Sequence, residues 1–243
     1  MCFSVAFIET SPKKYAEHFG SILNKKINTN QATSFQLYYF VSGFQFPVLP
    51  VVTYKRIMLS SWGLIPYWAK EPDKIRAKTL NAMGETIFEK LSFRNAIKKQ
   101  RCVLGIRGFF EWRLFIGKKY PYFIEHSKSE YLYVGCVYDY WTDKQSGVIT
   151  NSFSIITTPA NELMEKIHNQ KKRMPLILPK QHLSAWLNEN TEPELIKKLI
   201  KPLDDDSLNA YTVSPLASSI KENRNVSSVL EPYTYDELEN TIF

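Results

Sequence analysis

The chain has 243 residues, of which 44% are hydrophobic and 14% aromatic, and 31 Lys and Arg outweigh 24 Asp and Glu for a formal net charge of +7. That composition excludes a largely disordered chain and suffices for one large domain or two small ones. The positive balance suits a polyanion such as nucleic acid and equally suits a basic enzyme that binds none.

Residues 2–8 (CFSVAFI) read as a strand. A helix follows from residue 12, with Ser11 as cap, Pro12 in its first turn, and Tyr15, Phe19, Ile22 and Leu23 on one face. Residues 26–34 read as a polar loop, and residues 35–62 as strand segments punctuated by Pro47 and Pro50. The stretch "SWGLIPYWAKEPDKIRAKTLNAMGETIFEK" has little period and suits a long functional loop with short helical turns. "SFRNAIKKQ" predicts a short helix capped by Ser92. Strands are expected in "RCVLGIRGFFEWRLF", "YPYFIEH", "YLYVGCVYDYW" and "SFSIITT". The last runs into a helix, "PANELMEKIH", with Thr158 as cap, Pro159 in the first turn, and Ala160, Leu163, Met164 and Ile167 inward.

"RMPLILP" is expected to be extended, with two amphipathic helices around Trp186 and from Leu195 to Ile200. "AYTVSP" is a late strand, and the tail after Lys221 is irregular. Strands often follow one another directly, without strict βαβ alternation. This predicts an α+β fold: one domain over 1–243 with a mixed, barrel-like central sheet flanked by helices.

The three cysteines, Cys2, Cys102 and Cys136, are too far apart for a disulfide framework or a zinc motif. The N-terminal run lacks a basic leader and soon meets Lys13 and Lys14, so no secretory signal is expected. No apolar run approaches the roughly 18 residues of a membrane span. The expectation is a reduced, soluble, cytoplasmic protein (nucleoid-associated if bacterial), a monomer, with no cofactor or metal.

Cys2 stands directly behind the initiator methionine. Removal of Met1 would give it an α-amine with a pKa of about 8, two carbons from its thiol. Such a pair attacks an aldehyde twice, amine first and thiol second, closing a five-membered thiazolidine. A small buried residue at the start of an edge strand is the alternative. Asn81 could hold a sugar oxygen or simply build a turn. Glu111, between Phe110 and Trp112, would have a raised pKa in an apolar site, as a general acid or base requires; on a solvent face it would not. His168 ends a helix and could shuttle protons or cap the helix dipole. Trp62, Trp68, Arg94, Lys171, Lys172 and Arg173 belong to an interleaved basic and aromatic set that could hold phosphates and stack bases, or else serve core and solubility.

The segments "MC", "WGLIPYWAK", "LNAMGETIFEKLSFR", "RCVLGIRGFFEW", "YVGCVYDYW", "FSIITTPAN", "IHNQKKRMPLIL" and "AWL", with a weaker "YTVSP", resemble in order the SRAP (SOS response-associated peptidase) family of abasic-site processing proteins. The resemblance spans most of the chain, within about residues 1–215. It implies binding of single-stranded DNA and a covalent thiazolidine crosslink between the mature N-terminal cysteine, here Cys2, and the ring-opened sugar of an abasic site. It implies that Asn81 senses that sugar, that Glu111 and His168 move protons, and that Arg173 lies near the DNA backbone. The peptidase label would refer to removal of Met1. Three departures concern DNA contacts: Phe3 and Ser4 replace a family glycine and arginine, Met83 replaces an arginine, and four residues separate His168 from Arg173 where one is common. Two other readings are an N-terminal-cysteine amidohydrolase of the glutamine amidotransferase kind and a non-enzymatic single-strand DNA-binding module.

Overall fold

The structure is a computed structural model describing residues 2–29 and 33–238. It opens with β1 (Ser4–Phe7) and α1 (Pro12–Leu23). Ser11 caps α1, its hydroxyl accepting from the Lys14 N–H at 3.2 Å, and Tyr15, Ala16 and Phe19 turn inward. Three strands follow, β2 (Tyr38–Ser42), β3 (Val48–Val52) and β4 (Ile57–Trp62). The aperiodic stretch then holds two short elements, α2 (Pro72–Arg76) and β5 (Asn81–Met83).

After α3 (Ala96–Lys99) come five consecutive strands: β6 (Arg101–Ile106), β7 (Gly108–Phe115), β8 (Lys118–His126), β9 (Leu132–Thr142) and β10 (Ile149–Pro159). The chain then passes through α4 (Glu162–Ile167), β11 (Arg173–Pro175), α5 (Leu183–Leu187), α6 (Pro193–Leu199) and β12 (Leu208–Thr212).

Strands β10, β4, β3, β6 and β9 pair in that order, and β9 pairs back onto β10. The five strands therefore form a closed ring, which removes the unpaired edges of an open sheet. The ring is mixed, because β4 runs parallel to β10 while the other pairs are antiparallel. β5 and β11 add to β10 beyond the ring. A second, antiparallel sheet has the order β12, β8, β7, β1, β2. The fold is thus α+β with a barrel-like mixed sheet, as expected.

Alternation along β7 divides the interior. Phe109 joins the main core, whereas Phe110 joins a smaller cluster with Phe40, Phe123, Val213 and Val229 on the other face of the second sheet. Glu111 therefore shares the face of Phe109.

Two helix starts differ from the sequence reading. α4 begins at Glu162, capped by Asn161, whose side chain accepts from the Met164 N–H at 2.9 Å. Thr158 and Pro159 remain in β10, where they pair with Met174 and Arg173, so strand pairing across β11 prevails over the local capping signal. α3 has Asn95 at its N-cap position without a side-chain bond, and Ser92 lies in the preceding turn. The tail has no strand or α-helix of its own among the described residues, yet it is pinned. The Tyr39 N–H donates to Asn225 Oδ1 at 2.7 Å, the Tyr235 hydroxyl donates to the Val213 carbonyl at 2.8 Å, and Val229 is fully buried.

Candidate active site

The site forms where β1, β5, β7 and the end of α4 converge. β5 lies parallel to β10 with Asn81 opposite Ile155. From there the Asn81 side-chain amide donates to the Cys2 carbonyl at 2.9 Å, across 79 residues of sequence. Its other atom, Oδ1, is buried without a hydrogen-bond partner among the described residues. A buried carbonyl oxygen in that state is an acceptor awaiting a donor. Cys2 itself is completely buried. Burial pushes its thiol pKa up, and the nearby Glu111 carboxylate adds to the effect. The thiol is therefore protonated and needs a base to become a nucleophile.

Glu111 is 4% exposed, which decides between the apolar pocket and the solvent face in favour of the pocket. Burial raises its pKa to about 7, against smaller opposing effects from the Trp112 N–H and Lys171. His168 takes the C-cap position of α4, its backbone N–H donating to the Met164 carbonyl, so capping and a place in the site coexist. Its Nδ1 lies 2.8 Å from the Arg173 carbonyl. A carbonyl only accepts, so Nδ1 carries the proton, and Nε2 of the neutral ring presents a lone pair. That Nε2 sits 3.8 Å from Glu111 Oε2. Burial lowers the histidine pKa to about 4, the bond to the Arg173 carbonyl opposing and the charges of Lys171 and Arg173 assisting. At neutral pH the pair is a neutral imidazole beside a carboxyl poised between its two forms, which suits proton exchange with a bound reactant.

A cavity of about 440 Å³ opens onto this pair. Phe3, Glu111 and His168 reach its surface, and Lys119, Lys171 and Arg224 line it as well. Cys2 and Asn81 do not themselves line it, although Cys2 is adjacent to Phe3 in the chain and lies within the electrostatic reach of Glu111.

The basic and aromatic residues singled out in the sequence separate into different environments. Trp62 is fully buried, stacks on Phe153 at 6.2 Å and donates its indole N–H to the Leu80 carbonyl. The expectation that Trp62 contacts DNA is therefore corrected: its ring faces are enclosed by core, and no base can stack on them. Trp68 is 42% exposed and lines a separate cleft of about 790 Å³ with Tyr67, Lys70 and Trp141. Arg94 is exposed and lies outside the lining of both cavities. Lys172 pairs with Glu165 at 3.2 Å. Arg173 is held in a bidentate pair by Glu85, at 2.6 and 2.9 Å, and also bonds Thr157. Its guanidinium is thus committed internally, and its backbone carbonyl orients His168.

Sequence reasoning missed Glu85, Lys119 and Arg224. Glu85 stood within the quoted "LNAMGETIFEKLSFR" segment without being singled out. Lys119 and Arg224 look like ordinary solvated charges in sequence, and only the fold turns them toward the cavity.

With this geometry in hand, the chain can be placed among known proteins. The SOS response associated peptidase (SRAP) family matches residues 1–220, and the chain belongs to that family. It is 40% identical over 164 residues to the abasic site processing protein YoqW of Bacillus subtilis, covering 67% of this chain and 71% of that protein. It is 31% identical over 190 residues to the abasic site processing protein HMCES of Gallus gallus, covering 69% of this chain but only 55% of that longer protein. A crystal structure of a Bacteroides thetaiotaomicron protein superposes with a TM-score of 0.83 at 33% identity, covering 96% of this chain and all of the other.

Proposed function

We propose that this protein processes abasic sites in single-stranded DNA by forming a covalent crosslink through Cys2. The observation that carries the reading is the convergence of Asn81 on Cys2, 2.9 Å from its carbonyl, with Glu111 and His168 facing each other beside it.

The chemistry begins with cleavage of the Met1–Cys2 peptide bond by water, which leaves Cys2 as an α-amine with a pKa of about 8. The ring-closed abasic sugar must open to its aldehyde, and proton transfer between the ring oxygen and the Glu111–His168 pair assists that step. The amine then attacks the aldehyde carbon, and the resulting carbinolamine loses water to give an imine. Protonated Glu111 is the acid that helps hydroxide leave. The Cys2 sulfur next adds to the imine carbon: a C–S bond forms, the thiol proton passes through Glu111 or His168, and the imine nitrogen gains a proton. The product is a thiazolidine with no net oxidation or reduction. Asn81 holds the Cys2 carbonyl and so the nucleophile, while its Oδ1 is free to accept from a sugar hydroxyl.

The cations around the cavity and the exposed Trp68 support binding of a strand through phosphates and base stacking. The raised Glu111 pKa suits an acid in imine formation, and the surplus positive charge of the chain argues against an amidohydrolase with a small-amide pocket.

The test is incubation of purified protein with single-stranded DNA bearing one abasic site, read on a denaturing gel, with intact-mass analysis of the N-terminus in parallel. A denaturation-resistant adduct that is lost in Cys2→Ala is the expected result. Absence of any adduct from protein shown to begin at Cys2 overturns the reading.

A further inference from the structure

The cations near the cavity differ in their commitments. Arg173 is occupied by Glu85 and Lys172 by Glu165. Lys119, Lys171 and Arg224 line the cavity and have no carboxylate partner among the described residues. Among the described residues Glu111 is the one acidic group in the cavity lining, and it is half protonated near neutrality. Three cations around such a lining leave a net positive rim.

Arg224 is the least expected of the three. It lies in the tail, beyond the 1–220 stretch that matches the family. The tail is fixed on both sides of it. The Trp112 indole donates to Ser218 Oγ at 2.7 Å, the Tyr39 N–H donates to Asn225 Oδ1, and Val229 is buried in the smaller core. The guanidinium lies 4.2 Å above the Phe40 ring. Stacking on an aromatic face fixes the plane of an arginine while leaving its N–H groups free to donate. A planar, pre-positioned fork without a hydrogen-bond acceptor among the described residues is suited to the two non-bridging oxygens of a phosphodiester.

We propose that Arg224 binds a backbone phosphate of the DNA strand that enters the cavity, so that the tail of this chain supplies part of its DNA site. The assignment rests on the proposed DNA substrate but not on the crosslinking chemistry. Phe40 is the platform of the contact, and Lys119 and Lys171 provide the surrounding field.

The experiment measures non-covalent affinity for single-stranded DNA carrying a tetrahydrofuran abasic analogue, which has no aldehyde and cannot crosslink, as a function of salt. Arg224→Gln is expected to weaken binding roughly tenfold at low salt, the size of one charge-assisted contact. It should also reduce the slope of log affinity against log salt by about 0.7, one phosphate on a single strand. Arg224→Lys is expected to restore most of the slope. An unchanged affinity and slope in Arg224→Gln overturns the assignment. So does an Arg224→Lys variant as defective as Arg224→Gln, because the residue would then act through packing on Phe40. Failure of the wild type to crosslink a true abasic site, with this salt dependence intact, would sink the chemistry and leave the phosphate contact standing.

Discussion

The Asn81 side chain grips the backbone of Cys2 through a 2.9 Å hydrogen bond to its carbonyl. The bond joins a three-residue strand on the outside of the barrel to the residue that would carry the reaction. Rigid attachment of a nucleophile is worth a great deal when its orientation sets the barrier.

Asn81→Asp replaces the donor with a carboxylate that repels the Cys2 carbonyl. Crosslinking in single-turnover experiments is expected to slow by roughly tenfold to a hundredfold, the size seen when a reacting group is displaced by about an ångström. Non-covalent binding of the tetrahydrofuran strand should stay within a factor of about three, because that analogue lacks the free sugar hydroxyl from which Asn81 Oδ1 would accept. Equal crosslinking rates in the two proteins would remove Asn81 from the positioning role.

The pH profile follows from Glu111 and the Cys2 amine. The rate should rise as the amine deprotonates toward about pH 8. It should fall again as Glu111, with its pKa near 7, loses the proton it donates. Initial rates measured from pH 5 to 10 are expected to give a narrow bell between these limits. Glu111→Gln should lower the maximum at least about a hundredfold and abolish the alkaline limb.

The same residue governs stability with a definite sign. A carboxyl whose pKa is raised by folding stabilises the native state below the ordinary carboxylate range, and that contribution is lost as pH rises through about 7. Glu111→Gln is therefore expected to be more stable than wild type at pH 8, by up to about 3 kcal/mol, and to show no such gain at pH 4. His168 acts oppositely: its pKa near 4 gives a contribution present above the ordinary histidine value and lost as pH falls through about 4. Urea titrations of both proteins at the two pH values measure the difference, and a Glu111→Gln protein less stable at pH 8 would contradict the buried-carboxylate account.

The two tryptophans of the "WGLIPYW" segment should separate cleanly. Trp62→Ala empties a core position and is expected to cost about 3–5 kcal/mol in chemical denaturation. Trp68→Ala removes a side chain that is 42% exposed and should change stability by less than about 0.5 kcal/mol. If Trp68 stacks on a base, its loss should weaken single-strand affinity by about 1–3 kcal/mol in fluorescence anisotropy titrations. Unchanged affinity in Trp68→Ala would detach that cleft from the DNA path.

The sequence by itself determined the local elements wherever period and punctuation agree. Ser11 and Pro12 start α1, and successive runs rich in β-branched and aromatic residues from 101 onward form the consecutive strands. It also pointed to Cys2, Asn81, Glu111 and His168, because their chemistry is legible in short segments whose order resembles one family. Only the tertiary structure decided which like residues differ in role. Trp62 and Trp68 are six positions apart in one segment, yet one lies in the main core and the other is exposed. Arg173 and Glu85 are 88 residues apart and meet because β5 and β11 both pair with β10. Arg224 faces the cavity because the tail is pinned across β2. Burial and long-range pairing arise from closure of the sheet around its core, and no local window of the chain carries that information.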